Sequence, residues 1–95
     1  MRGVDLEVLR EVFTVIEDRR DRPRPDSYVS GLMSGGLRAV IEKVDEESLE
    51  LREAARGRGD LVHETADLIF HVMVLLAFKR VPLAAVLDEL RRRRK

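Results

Sequence analysis

The sequence predicts an all-α fold, and three observations carry that expectation. Apolar residues recur at helical spacing in four stretches of the chain. No stretch alternates apolar and polar residues as a half-buried strand does, and no Asn-Gly hairpin signal is present. The prolines and the close-set glycines fall between the periodic stretches, where helices must stop.

Leu6, Leu9, Phe13 and Ile16 share one helical face, which predicts a first helix over about residues 4–19. The following Arg19-Arg20-Asp21-Arg22-Pro23-Arg24-Pro25-Asp26 cannot continue it, because proline lacks the N–H and disfavours helix in the residue before it. Ser27 is placed to cap a short helical stretch through Ser34, and Gly35-Gly36 interrupts that stretch. A long second helix is expected from Leu37 to about Arg56, with Leu37, Val40, Ile41, Val44, Leu51 and Ala55 on its buried face. Gly57-Arg58-Gly59 ends it, and Asp60 caps a third helix over about residues 61–79. That helix is apolar almost all round after Asp67, which marks it as the buried one. Pro82 suits the first turn of a last helix carrying Leu83, Val86, Leu87 and Leu90. The basic end, Arg91–Lys95, is favourable near a helix C-terminus. The architecture expected is two long antiparallel central helices with an N-terminal and a C-terminal helix around them.

Ninety-five residues suffice for one domain spanning 1–95 and a modest core, so burial of further apolar surface in an oligomer is expected. The chain is 44% hydrophobic and 38% charged, which excludes a disordered tail. The absence of cysteine excludes a disulfide scaffold and a cysteine-based zinc site. Eighteen basic residues balance 18 acidic ones, so no global field draws the chain to nucleic acid or a membrane, and neither partner is expected. Met1-Arg2-Gly3-Val4-Asp5 reaches an acidic residue at once and shows no export signal. The run Leu68 to Phe78, broken only by His71, is shorter than the roughly 20 residues of a membrane span. A soluble, cytoplasmic protein is the expectation.

The chemistry lies in the two central helices. At about 100° per residue from Leu37, Glu47 falls on the shoulder of the apolar stripe. Lys43 and Glu50 share its edge, while Glu46 points directly away. On the third helix, Glu64, Asp67 and His71 form one stripe at i, i+3 and i+7 that continues as Leu75 and Phe78. The tight turn at Gly57–Gly59 makes the two helices antiparallel neighbours. Glu50 then stands level with Glu64, and Glu47 with Asp67, so that four carboxylates converge. Four anions that close cannot all ionise without a cation among them. All-oxygen ligation points to a hard ion, Mg²⁺ or alternatively Mn²⁺. Ordinary surface pairing is the competing reading for any single glutamate, and Glu46 belongs with it.

These residues carry a family resemblance. Glu46-Glu47-Ser48-Leu49-Glu50 followed by Glu64-Thr65-Ala66-Asp67 resembles the EExxE…ExxD pattern of the all-α, MazG-type nucleotide pyrophosphohydrolases. Ser27-Tyr28-Val29, Gly36, Ile41 to Glu47, Glu64 to His71, and the late helix from Val81-Pro82-Leu83 to Leu90 narrow it. Together they resemble phosphoribosyl-ATP pyrophosphohydrolase of histidine biosynthesis over about residues 6–92. The sequence departs from that pattern at Asp45, at Ser48-Leu49 and in the less basic Gly35-Gly36-Leu37-Arg38, and no departure removes a carboxylate.

The resemblance implies a MazG-like helical bundle completed by oligomerisation, a homodimer or larger. It implies Mg²⁺ held by Glu47, Glu50, Glu64 and Asp67, with Glu46 nearby. The implied reaction is hydrolysis of the α–β phosphate bond of phosphoribosyl-ATP, a small nucleotide, to phosphoribosyl-AMP and pyrophosphate. Glu47, Glu50 and Lys43 are then the catalytic candidates, the carboxylates for water and Lys43 as a point charge for phosphate. For Lys43 the competing reading is a salt bridge to Glu47. Arg19, Arg20, Arg22 and Arg24 either reach a polyphosphate or form a solvated linker. Tyr28 can stack on a base or ribose. His71 reads as a buried, satisfied histidine rather than a ligand. Some family members are fused to a cyclohydrolase that needs cysteines for zinc, which this cysteine-free sequence is expected to lack. Two other functions fit the same residues: a MazG-type housekeeping hydrolase of nucleoside triphosphates, and a non-catalytic helical dimerisation module.

Overall fold

A computed structural model describes residues 6–94. It contains five helices: α1 (Glu7–Asp21), α2 (Tyr28–Ser34), α3 (Gly36–Glu53), α4 (Leu61–Phe78) and α5 (Leu83–Arg92). No strand occurs among the described residues, and the all-α expectation is borne out. The first residues of the helix expected from position 4, the Met1–Asp5 segment read for an export signal, and Lys95 all lie outside the described residues.

The boundaries follow local chemistry. α1 runs to Asp21, past the expected residue 19, because the Arg22 N–H still reaches the Asp18 carbonyl at 2.7 Å. Pro23 then holds Arg22 out of the helical region. Ser27 caps α2, its hydroxyl accepting from the Ser30 N–H at 3.1 Å. Gly36, at φ +79°, makes the break before α3 in a conformation that costs glycine least. At its far end α3 does not stay α-helical to Arg56. It widens after Glu53 into a π-helical turn, Ala54–Arg58, that closes on Gly57 at φ +90°. Asp60 caps α4, accepting from the His63 N–H at 3.2 Å. Pro82 stands just before α5 in extended conformation, not in its first turn.

The core is built from four helices. Phe13 and Ile16 of α1, Val29 of α2, Val40 of α3, and Met73, Val74 and Ala77 of α4 form one buried cluster. α3 and α4 make the most extensive helix pair, and α1 lies along α4. α5 adds Leu83 to the edge of the cluster but buries no residue fully.

Two burial expectations are corrected. The buried side of α3 is turned toward Val40, Glu47 and Ala54, while Leu37 and Ile41 are exposed at 38% and 42%. Ala55 is exposed as well. α4 is central without being enclosed: Leu61, Val62, Ile69 and Val72 remain exposed within one chain. α4 is also long and apolar enough, by length and composition alone, to cross a membrane. Yet Met73, Val74 and Ala77 are spent in the shared core, and Glu64, Asp67 and His71 line one of its faces.

Candidate active site

α3 packs against α4, and the four candidate carboxylates lie on these two helices, Glu47 and Glu50 on α3 and Glu64 and Asp67 on α4. Glu47 is the only one of them that α3 buries, at 8% exposure, and a buried carboxylate needs a positive partner. Lys43, one turn earlier, provides it. Its ammonium lies 3.0 Å from Glu46 Oε1 and 3.3 Å from Glu47 Oε2. Hydrogen bonding to Glu46, and then to Glu47, outweighs burial and holds the Lys43 ammonium firmly in its charged form. Glu46 itself is largely exposed. The salt bridge offered as the competing reading for Lys43 is therefore formed, with Glu46 sharing it.

Glu64 reports the convergence. Its carboxyl is held above the ordinary glutamate range, first by desolvation and then by the negative charges of Glu50, Asp67 and Glu47, against a pull from His63. Those are the three carboxylates that the level-height argument sets beside it. On α4, His63, Glu64 and Asp67 offer ligand atoms within 4.8 Å of one another, and His63 Nε2 lies 3.3 Å from Asp67 Oδ2. An oxygen-rich donor set under mutual repulsion suits a hard divalent cation, and His63 at its margin adds one nitrogen that Mn²⁺ tolerates better than Mg²⁺.

The raised Glu64 carboxyl has a pH consequence. The folded state holds this proton more tightly than the unfolded chain, so Glu64 costs stability as pH rises through its folded-state pKa and costs nothing well below the unfolded value. Without divalent metal, Glu64→Gln is expected to melt above the parent protein at pH 7.5. The advantage should shrink to nothing as the buffer approaches pH 4, and parallel melting curves across that range would refute the repulsion.

Tyr28 and His71 belong to the same region. The Tyr28 hydroxyl is 2.8 Å from His71 Nε2, and His71 Nδ1 is 2.8 Å from the Asp67 carbonyl oxygen. The Tyr28 phenol is held above its ordinary pKa by burial, with Lys43 opposing and Glu47 and Glu46 adding to the shift. His71 is 6% exposed and fully satisfied, as the sequence suggested.

The arginines lie elsewhere. Arg20 donates to the Ala77 carbonyl at 2.8 Å and pairs with Asp21. Ala77 stands about 15 Å further along α4 than Asp67 at the helical rise. Arg19 pairs with Asp18 at 2.6 Å, and Arg22 with the same carboxylate at 2.8 Å. Arg19 and Arg20, with Arg80 and Phe78, line an open pocket of about 330 Å³ at that far end. Within one chain, then, the structure does not bring Arg19, Arg20 or Arg22 to the carboxylates, and Arg24 is exposed beside that same end. Two features escaped the sequence reading: His63, whose i, i+4 spacing to Asp67 was the available signal, and the Tyr28–His71 contact, which no local spacing announces.

The family model for phosphoribosyl-ATP pyrophosphohydrolase matches residues 9–94. A phosphoribosyl-ATP pyrophosphatase from Methanocella arvoryzae is 46% identical over 93 residues, covering 94% of this chain and 98% of that protein. Its counterpart from Methanococcoides burtonii is 39% identical over 98 residues, covering 99% of each. The histidine biosynthesis bifunctional protein HisIE of Gloeobacter violaceus is 38% identical over 89 residues, which cover 94% of this chain and 41% of that protein. The chain therefore belongs to the phosphoribosyl-ATP pyrophosphohydrolase family.

Proposed function

We propose that this protein hydrolyses the α–β phosphate bond of phosphoribosyl-ATP, releasing phosphoribosyl-AMP and pyrophosphate, as the second step of histidine biosynthesis. The observation that carries the proposal is the acidic cluster at the start of α4, where Glu64 and Asp67 offer ligand atoms within 4.8 Å of each other and of His63, in a chain of this family. Glu47, Glu50, Glu64 and Asp67 would hold Mg²⁺, or Mn²⁺ in its place. The ion, when bound, supplies charge neutralisation for the phosphates and a water of lowered pKa.

The chain's own residues do the rest. A carboxylate oxygen of Glu47 or Glu50 that is not engaged elsewhere accepts a proton from the attacking water. The hydroxyl oxygen bonds to the α-phosphorus as the bond to the bridging oxygen breaks, and pyrophosphate leaves. Lys43 is already held at the edge of Glu47, where its ammonium can pair with a phosphate oxygen. Tyr28 offers a half-open ring face to a base or ribose. We place this chemistry in the cytoplasm.

Turnover measured side by side on phosphoribosyl-ATP and on ordinary nucleoside triphosphates tests the reading. Preference for phosphoribosyl-ATP by orders of magnitude is the expected result. Equal turnover would make the protein a housekeeping hydrolase, and none on any substrate would leave a dimerisation module.

We further propose a homodimer as the working unit. Ile69 and Val72 of α4 are exposed, as are Val8 and Val15 of α1 and Leu61 and Val62 at the start of α4, and covering these apolar side chains with a second copy would remove them from water. Sedimentation at micromolar concentration should give at least twice the 10.9 kDa of the chain, and Ile69→Glu should shift the protein toward monomer. A parent protein that sediments only as monomer would refute this.

A further inference from the structure

The arginines that the hydrolytic reading leaves aside meet at the other end of the bundle. Arg19 and Arg20 of α1, Arg80 just past α4, and Phe78 line the open pocket of about 330 Å³, and Met33 and Pro23 complete its apolar wall. We infer that this pocket is a second ligand site, separate from the α3–α4 carboxylates, and that it takes a nucleoside monophosphate. The phosphate pairs with the guanidiniums, and the flat base lies against Phe78, Met33 and Pro23. The inference goes beyond the hydrolytic reading and does not depend on it.

Two independent observations carry it. The first is the backbone of Arg80, at φ +60°, the only non-glycine residue with positive φ among the described residues. It stands where α4 ends. The Arg80 N–H donates to the Ala77 carbonyl at 3.0 Å, and the Val81 N–H donates to the Leu76 carbonyl at 2.9 Å. That pair of bonds turns the chain out of a helix, and the left-handed residue within it is usually glycine. An arginine there is strained by its Cβ. Its ion pair with Asp21, at 3.5 Å and with 69% of the arginine side chain exposed, stabilises less than the left-handed conformation costs. The turn itself needs no side chain, so what the position keeps is a guanidinium at the pocket.

The second observation is the arrangement of charge. Arg20 is 15% exposed and already fixed in place: it donates to the Ala77 carbonyl at 2.8 Å and holds Asp21 by two bonds, at 2.8 and 2.9 Å. It thereby masks the negative C-terminus of α4, which would otherwise repel an anion. Asp21 is shared by Arg20 and Arg80, and Asp18 by Arg19 and Arg22. Four guanidiniums against two carboxylates leave this corner with a net charge of +2. A phosphate monoester above its second pKa, about 6, carries the matching charge. The planar fork of arginine pairs with its oxygens two at a time. The apolar wall gives the rest of the ligand a surface that a bare inorganic ion would leave wet. At about 330 Å³ the pocket lies at the small end of ligand sites, which suits a mononucleotide better than a larger cofactor.

Titration of the ¹⁵N-labelled protein with AMP in EDTA tests this. The backbone amides of Ser34, Phe78 and Arg80 should shift and saturate with a Kd below about 1 mM, while those of Glu64 and Asp67 stay in place. Adenosine and inorganic phosphate should each bind at least about tenfold more weakly, since each lacks one half of the contacts. Arg80→Gly should weaken AMP binding by about tenfold or more, as losing a charge-assisted bond does. The same variant should melt at or above the parent temperature, because glycine relieves the turn. That second readout separates a ligand role from a structural one. An absence of saturable shifts, shifts centred on Tyr28 and Glu64, or phosphate binding as tightly as AMP would each overturn the inference. So would an Arg80→Gly protein that binds AMP unchanged, or one that melts below the parent and so shows the guanidinium serving the fold. Glu47→Gln should bind AMP like the parent whatever its turnover, so a failure of the hydrolytic reading leaves this result in place.

Discussion

Glu47→Gln is expected to lower turnover of phosphoribosyl-ATP by at least about a hundredfold, while Glu46→Gln lowers it by about tenfold. Outer partners of a metal ligand are commonly worth about 10–100-fold, and a direct ligand that loses its charge should cost more. The two glutamates are adjacent in sequence yet differ in every physical respect. Glu47 is 8% exposed, faces α4 and is felt by Glu64. Glu46 is mostly in water and touches only Lys43 among the residues of the site. Removing its charge leaves Lys43 with Glu47, so the ammonium shifts but is not lost. Steady-state kinetics with saturating Mg²⁺ decide the matter. Equal losses, or a worse defect in Glu46→Gln, would mean that Glu46 supplies a ligand, and full activity in both would leave the carboxylate cluster without a catalytic part.

That distinction was legible in the sequence because helical spacing is rigid: once residues 36–53 form one helix, adjacent positions diverge by about 100°. The antiparallel packing of α3 against α4 was legible for the same reason, since a turn punctuated by Gly57 makes the two helices neighbours. The rotation of α3 was not. Periodicity says that Leu37, Ile41 and Ala55 share a face with Val40, but not which neighbouring helix covers it, and α4 covers the Val40–Glu47 side. Glu47 can occupy the covered side because Lys43 sits one turn away, a compensation that a hydropathy pattern scores as two polar residues. The setting of the arginines was not legible on similar grounds. A charged linker reads as free, whereas Arg20 is tied to the Ala77 carbonyl at the C-terminus of α4, where exposed carbonyls attract a cation. Tyr28 and His71 lie 43 positions apart, and only the packing of α2 against the rest of the bundle brings them together.

Millimolar Mg²⁺ is expected to raise the melting temperature of the protein over its value in EDTA by roughly 5–10 °C. Free metal at about ten times its dissociation constant stabilises the native state by about 1.4 kcal/mol, given that the unfolded chain does not assemble the four carboxylates. For a domain of this size each kcal/mol moves the midpoint by about 4–8 °C. The cost that the ion relieves is already visible in the Glu64 carboxyl, pushed up by burial and by three neighbouring anions. The effect should therefore depend on those residues and not on ionic strength. Sodium chloride at matched ionic strength separates screening from ligation, because screening acts on all the exposed ion pairs of α1 and α5 as well. Glu64→Gln should lose most of the Mg²⁺ response while melting higher than the parent in EDTA, since it removes both a ligand and a source of repulsion. A response to Mg²⁺ that sodium chloride reproduces, or that survives intact in Glu64→Gln, would mean that the four carboxylates do not share an ion.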